Sequence, residues 1–411
     1  MLHVTSRTAA PNVVMLPPPG LRAPRVALAV LLSVALLCAW LSISSAPARA
    51  EFKGTRPETR HQSIPVAKLN NGVLMPYMSF GIWQLSNADV EAQVPLALSL
   101  GINHIDASIW YGCAENGGPP NQPALGEVLA DHPRDTYFLT TKIDPDARAS
   151  KEYGVVASPL TVHNAYFRTI EQAAHNLADL RVGYVDLMLV HWSSESCAVM
   201  SEIWRGMEFA YQQGWARAIG VSNYCPNTLS CILDMATVKP AVNQVKYHAG
   251  MNSAQLAELK TYTDAHDIVL QAYSPLGSMG KYHSAELIDG ATVRQIADKY
   301  GKSGAQVSLR WVAQHGVPFS TKSSKESHML EAIAAFDFSL SDEDMATLDA
   351  FDNGRPEVCA EEWQMHVPCL AASLTRCAVH DPTDVASQTY SFSCACDRTG
   401  TCKHTLPPYQ A

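Results

Sequence analysis

Residues 184–223, YVDLMLVHWSSESCAVMSEIWRGMEFAYQQGWARAIGVSN, decide the fold. An apolar run at 184–191, a helical pattern at 200–213 and a second apolar run at 217–222 make one strand–helix–strand unit. Each apolar run ends on polar or ionisable residues, His191 in the first case and Ser222-Asn223 in the second. Working outward, the same unit recurs in both directions. Strands are predicted at 78–83, 103–108, 137–143, 241–246, 268–274 and 317–322. Helices are predicted at 88–100, 122–131, 160–179, 225–236, 253–265, 291–315 (broken near Gly301) and 325–335. Eight such units in about 300 residues favour a closed α/β architecture, the (β/α)8 TIM barrel, over an open doubly wound sheet. In IPVAKLNNGVLMP, two short apolar runs flank Asn71-Gly72, a hairpin signal; this N-terminal β-hairpin is expected to plug the bottom of the barrel. LSDEDMATLDAF adds a capped amphipathic helix at 341–351, with Ser341 as N-cap and Asp344 in the first turn. No GxGxxG follows a strand, so any nucleotide must be held by barrel loops.

Other strand ends carry chemistry too: Asp106 in NHIDAS with Tyr111 five residues on, Lys142 in YFLTTKI, and Tyr273 in VLQAYSPL. Polar groups at the carboxyl ends of successive barrel strands gather at one mouth. Singly, each has an ordinary reading: a helix N-cap for the aspartate, a solvated strand end for the lysine, a satisfied core histidine beside Trp192. Together, an acid, a phenol, an amine and an imidazole form a proton-transfer site, and the chain reads as an enzyme.

The ends of the chain differ from its middle. Composition is that of an ordinary globular protein, 47% apolar and 17% charged. The net charge of −9, with no basic face in the pattern, argues against a nucleic-acid partner. Residues 1–50 lack Asp and Glu, and Arg7, Arg22 and Arg25 precede the apolar run that starts at Val26 and extends to 44. SSAPARA follows, with Ala48 and Ala50 in the spacing of a signal-peptidase site. This predicts a targeting segment, a signal peptide or signal-anchor, with a plastid or mitochondrial leader as the alternative. Residues 51–62 read as a linker, 63–355 as the barrel and 356–411 as a Cys-rich tail. Six of the eleven cysteines lie in the last 53 residues. They suggest disulfides in an oxidising compartment; the rival is zinc on Cys394, Cys396, Cys402 and His404. No metal is expected in the barrel.

From about Ile64 to Asp352 the chain resembles the aldo-keto reductases. GINHIDASIWYG, VDLMLVHW and TKSSKESHMLEAI are similar to the family's signatures at strands 2, 4 and 8, and GVSNY, NQVKYH and AYSPL fall between them in the family's order. The resemblance implies NADPH-linked carbonyl reduction, with NADPH preferred to NADH and a small aldehyde or ketone as substrate. It makes Asp106, Tyr111, Lys142 and His191 catalytic. Tyr111 would donate the proton, Lys142 and Asp106 would tune it, and His191 would orient the carbonyl. A free phenol, with pKa about 10, donates slowly at neutral pH, and a neighbouring ammonium favours its phenolate. For the cofactor it implies Ser222, Asn223 and Gln244 on the carboxamide, and Tyr273 stacked on the nicotinamide. Ser274, Leu276 and Ser278 would lie along the pyrophosphate loop. Lys322 and Ser323 would hold the adenosine phosphate, with His328 and Glu331 also among the cofactor-binding residues.

Two departures touch the cofactor. His328 stands where the family has arginine, and Ala332 follows Glu331 where asparagine is usual. Histidine offers a phosphate less charge and fewer simultaneous donors than arginine. Others touch the substrate: CAENGGPPNQPAL, 113–125, is longer than the family's link and sits beside Tyr111. Trp83, Trp110 and Trp192 would line an aromatic mouth. The competing reading is a nucleotide-binding, catalytically minor barrel that serves as a redox-sensing or scaffolding subunit. A monomer is expected, touching membrane only through its N-terminal segment. Because a reductase needs reduced nicotinamide, a membrane-associated or lumenal location in the secretory pathway is expected, or alternatively a plastid.

Overall fold

A computed structural model describes residues 64–109, 111–112, 120–145, 160–194, 196–251, 253–277 and 285–351, together with 393–396 and 402–405. The targeting segment, the linker, Trp110, Ser278 and most of the tail lie outside the described residues.

A short antiparallel hairpin comes first, β1 (Val66–Lys68) and β2 (Leu74–Pro76). Then strands and helices alternate: β3 (Met78–Gly81), α1 (Asn87–Ser99), β4 (His104–Asp106), α2 (Gln122–Ala130), β5 (Phe138–Ile143) and α3 (Val162–Asp179). There follow β6 (Val185–Val190), α4 (Cys197–Gln212), β7 (Ala216–Ser222), α5 (Pro226–Leu233), β8 (Val242–Lys246), α6 (Ser253–Ala265) and β9 (Val269–Tyr273). A short helix α7 (Glu286–Asp289) precedes the predicted segment 291–315, which is two helices, α8 (Ala291–Tyr300) and α9 (Gly304–Gln314), broken at Gly301 as expected. Gly301 ends α8 in the left-handed conformation, φ 61°, which only glycine adopts readily. Finally come β10 (Phe319–Thr321), α10 (Glu326–Ile333) and α11 (Asp342–Asp349), with Ser341 Oγ accepting from Asp344 N at 3.2 Å as its cap. In the tail, β11 (Ser393–Cys396) pairs antiparallel with β12 (Cys402–Thr405), Cys396 opposite Cys402.

Strands β3 to β10 close into an eight-stranded barrel; each pairs parallel with the next, and β10 returns to β3. Every residue of β5 and of β6 is buried, as parallel strands covered on both faces must be. The two faces serve different cores. In β6, Leu187 and Leu189 pack inside the barrel with Leu69 and Met75 of the hairpin region, while Met188 and Val190 pack outward beneath the helices. The hairpin is fastened across the amino ends of the strands by Asn70 Nδ2 on Pro240 O and Asn71 Nδ2 on Arg217 O, both 2.9 Å. The bottom of the barrel is therefore closed, as the sequence predicted. Gly220 lets β7 lie close to β8: a Cβ there would stand 2.4 Å from Val242 O.

The disulfide seen among the described residues lies in the barrel wall, away from the tail where the sequence placed such bonds. Cys197 at the start of α4 bonds Cys231 in α5, with Cα atoms 5.1 Å apart. Cys225 is also disulfide-bonded. No helix among the described residues is long and apolar enough to cross a membrane.

Candidate active site

The carboxyl ends of β4, β5, β6 and β7 bring the sequence-predicted residues together. Asp106 closes β4 and Lys142 is the penultimate residue of β5; both are buried, at 2% and 1% exposure. In register, Asp106 lies beside Thr140 and Lys142 beside Leu189, so each strand hands its polar end to the same rim. The Lys142 ammonium has three N–H groups and three acceptors. It bonds Asp106 Oδ1, Ala107 O at 3.2 Å and Tyr111 Oη at 3.0 Å. Burial pulls the lysine pKa down, but the charge of Asp106, then Tyr111 and the hydrogen bonds to both, outweigh it. The net shift is upward, so the ammonium persists.

Tyr111 reaches this pair by a turn, its N–H on Ser108 O at 3.1 Å, and Asn121 N fastens the far side by bonding Tyr111 O at 2.9 Å. Because the phenol oxygen accepts from Lys142, its own hydrogen is the one available for donation elsewhere. His191 continues β6, its N–H on Ile143 O at 2.8 Å. Its ring stands edge-on to Tyr111, centroids 6.0 Å apart, and is stacked on Trp192 at 5.6 Å. Ser108 Oγ engages His191 Nδ1 at 3.2 Å and sets the ring's orientation. Ser108 was missed in the sequence, although it follows Asp106 by two, the spacing that returns a side chain to the same face of a strand.

The residues assigned to a carboxamide form a second cluster. Asn223 adopts φ 62°, a left-handed conformation that asparagine tolerates. The bend directs its N–H to Gln244 O at 2.9 Å and its Nδ2 to His191 O at 3.0 Å. Ser222 Oγ donates to Gln244 O at 2.7 Å, and Tyr273 Oη donates to Asn223 Oδ1 at 2.9 Å, which fixes the tyrosine ring at the rim. Gln244 is buried; its Nε2 bonds Asp106 Oδ2 and, at 3.0 Å, Gln271 Oε1. The sequence linked Gln244 to a cofactor but not to Asp106.

Beyond this cluster a cavity of ≈ 520 Å³ is lined by Leu276, Arg294, Lys322, Ser323, His328 and Glu331 among others. The Lys322 ammonium spans the mouth to Trp83 O and, at 3.2 Å, Gln84 Oε1, and lies over the Trp83 ring. Ser274 adopts φ 50° just after β9, where the chain turns toward this cavity. A lysine, an arginine, a serine and a histidine around a cleft suit the phosphate end of a nucleotide. Among the described residues no group of His, Cys, Asp or Glu is placed to hold a metal ion.

Comparison with known proteins gives a consistent result. Residues 77–353 match the model of the aldo/keto reductase family. An aldo-keto reductase of Mycobacterium sp. (strain MCS) is 34% identical over 71% of this chain and 92% of its own length. The glyoxal reductase of Bacillus subtilis (strain 168) is 34% identical over 69% of this chain and 92% of its own. Among solved structures, an aldo/keto reductase from Brucella melitensis superposes with TM-score 0.58 at 29% identity, covering 71% of this chain and all of that one. An aldo-keto reductase crystallised with NADPH gives TM-score 0.59 at 28% identity, covering 72% and 90%.

Proposed function

The chain belongs to the aldo/keto reductase family, and from that premise we propose that it is an NADPH-dependent reductase of small aldehydes and ketones with Tyr111 as the proton donor. The observation that carries the reading is the Lys142 ammonium, buried, bonded to Asp106 and 3.0 Å from the Tyr111 oxygen. Bound NADPH would supply a hydride to the carbonyl carbon. The oxygen left negative takes the phenolic proton, and the ammonium beside Tyr111 stabilises the phenolate that remains. His191, with Nδ1 engaged by Ser108, addresses the same oxygen through Nε2 and aligns it. Trp83, beneath the Lys322 ammonium, and Trp192, stacked on His191, would give the mouth an aromatic lining.

The NADPH complex of a relative supports the cofactor, and the fit of this chain's own residues supports its placement. Tyr273, pinned by Asn223, would pack on the nicotinamide. Lys322 and Ser323 would hold the adenosine phosphate in the ≈ 520 Å³ cavity, which Glu331 also lines. The Bacillus subtilis glyoxal reductase makes glyoxal a natural member of the aldehyde panel. We place the protein in the secretory pathway, delivered by residues 1–50; protease protection of a C-terminal tag in microsomes tests this.

The decisive experiment is aldehyde-dependent NADPH oxidation by the wild type and Tyr111→Phe. The variant should retain NADPH binding and lose roughly 10²–10⁴-fold in kcat. Unchanged turnover would remove Tyr111 from the mechanism.

A further inference from the structure

The acid pair is held from a side that the mechanism above does not use. Gln244 of β8 and Gln271 of β9 are direct partners in the strand register, and both are buried, at 1% and 0% exposure. An amide presents two donors at one pole and an acceptor at the other. An ionised carboxylate only accepts, so Asp106 Oδ2 obliges Gln244 to turn Nε2 toward it. The second N–H of that nitrogen goes to Gln271 Oε1 at 3.0 Å. The charge of Asp106 thus fixes two amides in series. Reversing Gln271 would set nitrogen against nitrogen.

The arrangement leaves a mark. Gln271 Nε2 is buried with no hydrogen-bond partner among the described residues. Such orphans are rare because they are costly, and they persist where the surroundings dictate the orientation. We propose that Gln271 is a positioning residue of the reductase site. It orients the Gln244 amide, which in turn holds the Asp106 carboxylate where it keeps Lys142 against Tyr111. With both N–H groups engaged inside the barrel, Gln244 presents its carbonyl as its remaining pole. The inference rests on the reductase reading and deepens it, since nothing else in the site explains an oriented amide with an unused donor.

The test uses the full chain with Gln271→Met, Gln244→Met and the double variant. Methionine keeps the volume of Gln271 and removes both its acceptor and its orphaned donor. Gln271→Met should melt near the wild-type temperature, because one buried unpaired N–H is gone while the second N–H of Gln244 loses its acceptor. Its kcat should nevertheless fall about tenfold, the scale of one hydrogen bond to a charged group. The limb of the pH profile that reports the phenol should move to higher pH, because the ammonium is held less closely. NADPH affinity, read by protein fluorescence, should weaken several-fold as the Gln244 carbonyl loses its fixed direction. In the double variant kcat should match that of Gln244→Met alone, since one residue acts through the other. Three results would overturn the proposal: an active wild type with an indifferent Gln271→Met, losses that multiply in the double variant, or a loss of activity that merely follows a lower melting temperature. A wild type that reduces no carbonyl would overturn the reductase reading, and this proposal with it.

Discussion

Asp106→Asn isolates the electrostatics of the site while keeping its shape. In the wild type, Lys142 has a raised pKa against the pull of burial. A raised folded value means that the contribution of the pair is complete below the ordinary lysine pKa, about 10.4, and is lost only as pH rises through the still higher folded value. The whole contribution is therefore present at neutral pH. The substitution removes the charge that opposed burial and leaves a buried ammonium uncompensated, a loss of about 3–5 kcal/mol. For a domain of this size that is a fall in Tm on the order of 10 °C. Asparagine must turn its carbonyl to Lys142, which sets its NH2 against Gln244 Nε2, so the damage extends along the amide pair. The pH dependence also inverts. With burial unopposed, the lysine pKa drops below its ordinary value, the unfolded chain binds more protons, and the variant gains stability as pH rises toward that value. Calorimetric melting across pH, with NADPH oxidation measured in parallel, reads both effects, and kcat should fall about 100-fold. A variant that melts and turns over like the wild type at every pH would refute the claim that Asp106 sustains the ammonium.

Three other outcomes follow from the geometry. His328→Arg should tighten NADPH about tenfold with little change for NADH, by fluorescence titration, because a guanidinium adds a bidentate phosphate contact; equal gains for both nucleotides would place His328 away from the 2′-phosphate. His104 is buried between Pro76 O and Thr140 Oγ1, and burial, partly offset by the Asp106 charge, lowers its pKa from 6.5 to about 4. Stability present above pH 6.5 should thus be lost as pH falls toward 4, by about 3 kcal/mol, and His104→Gln should flatten that part of a Tm–pH curve. Gly220→Ala drives a methyl group against Val242 O and should destabilise by about 1–3 kcal/mol in urea unfolding, with the slope unchanged.

The barrel was legible because each strand–helix unit announces itself locally. An apolar run followed by a helical pattern recurs eight times, five of the runs end on polar or ionisable residues, and observed boundaries fall within a few residues of the expected ones. Asp106, Tyr111, Lys142 and His191 were legible because strand ends of a barrel share a rim. What escaped was sideways information. Whether Gln244 turns inward to Asp106 or outward depends on the neighbour that register places beside it, Gln271, and no spacing along the chain encodes that. The orientation of His191 by Ser108 joins residues 83 apart. The Cys197–Cys231 bond escaped for the same reason: it depends on where two helix ends meet, whereas the dense tail cysteines drew attention by composition alone.

The seam of the barrel carries one more implication. Its final ladder joins Met78 to Phe319, so β3 waits for about 240 further residues before β10 covers its free side. At translation rates of roughly 5–20 residues per second, that is on the order of 10–50 s with an unpaired, apolar strand edge. Nascent chains of this protein should therefore lean on holding factors at the ribosome or translocon until the last eighth of the barrel emerges.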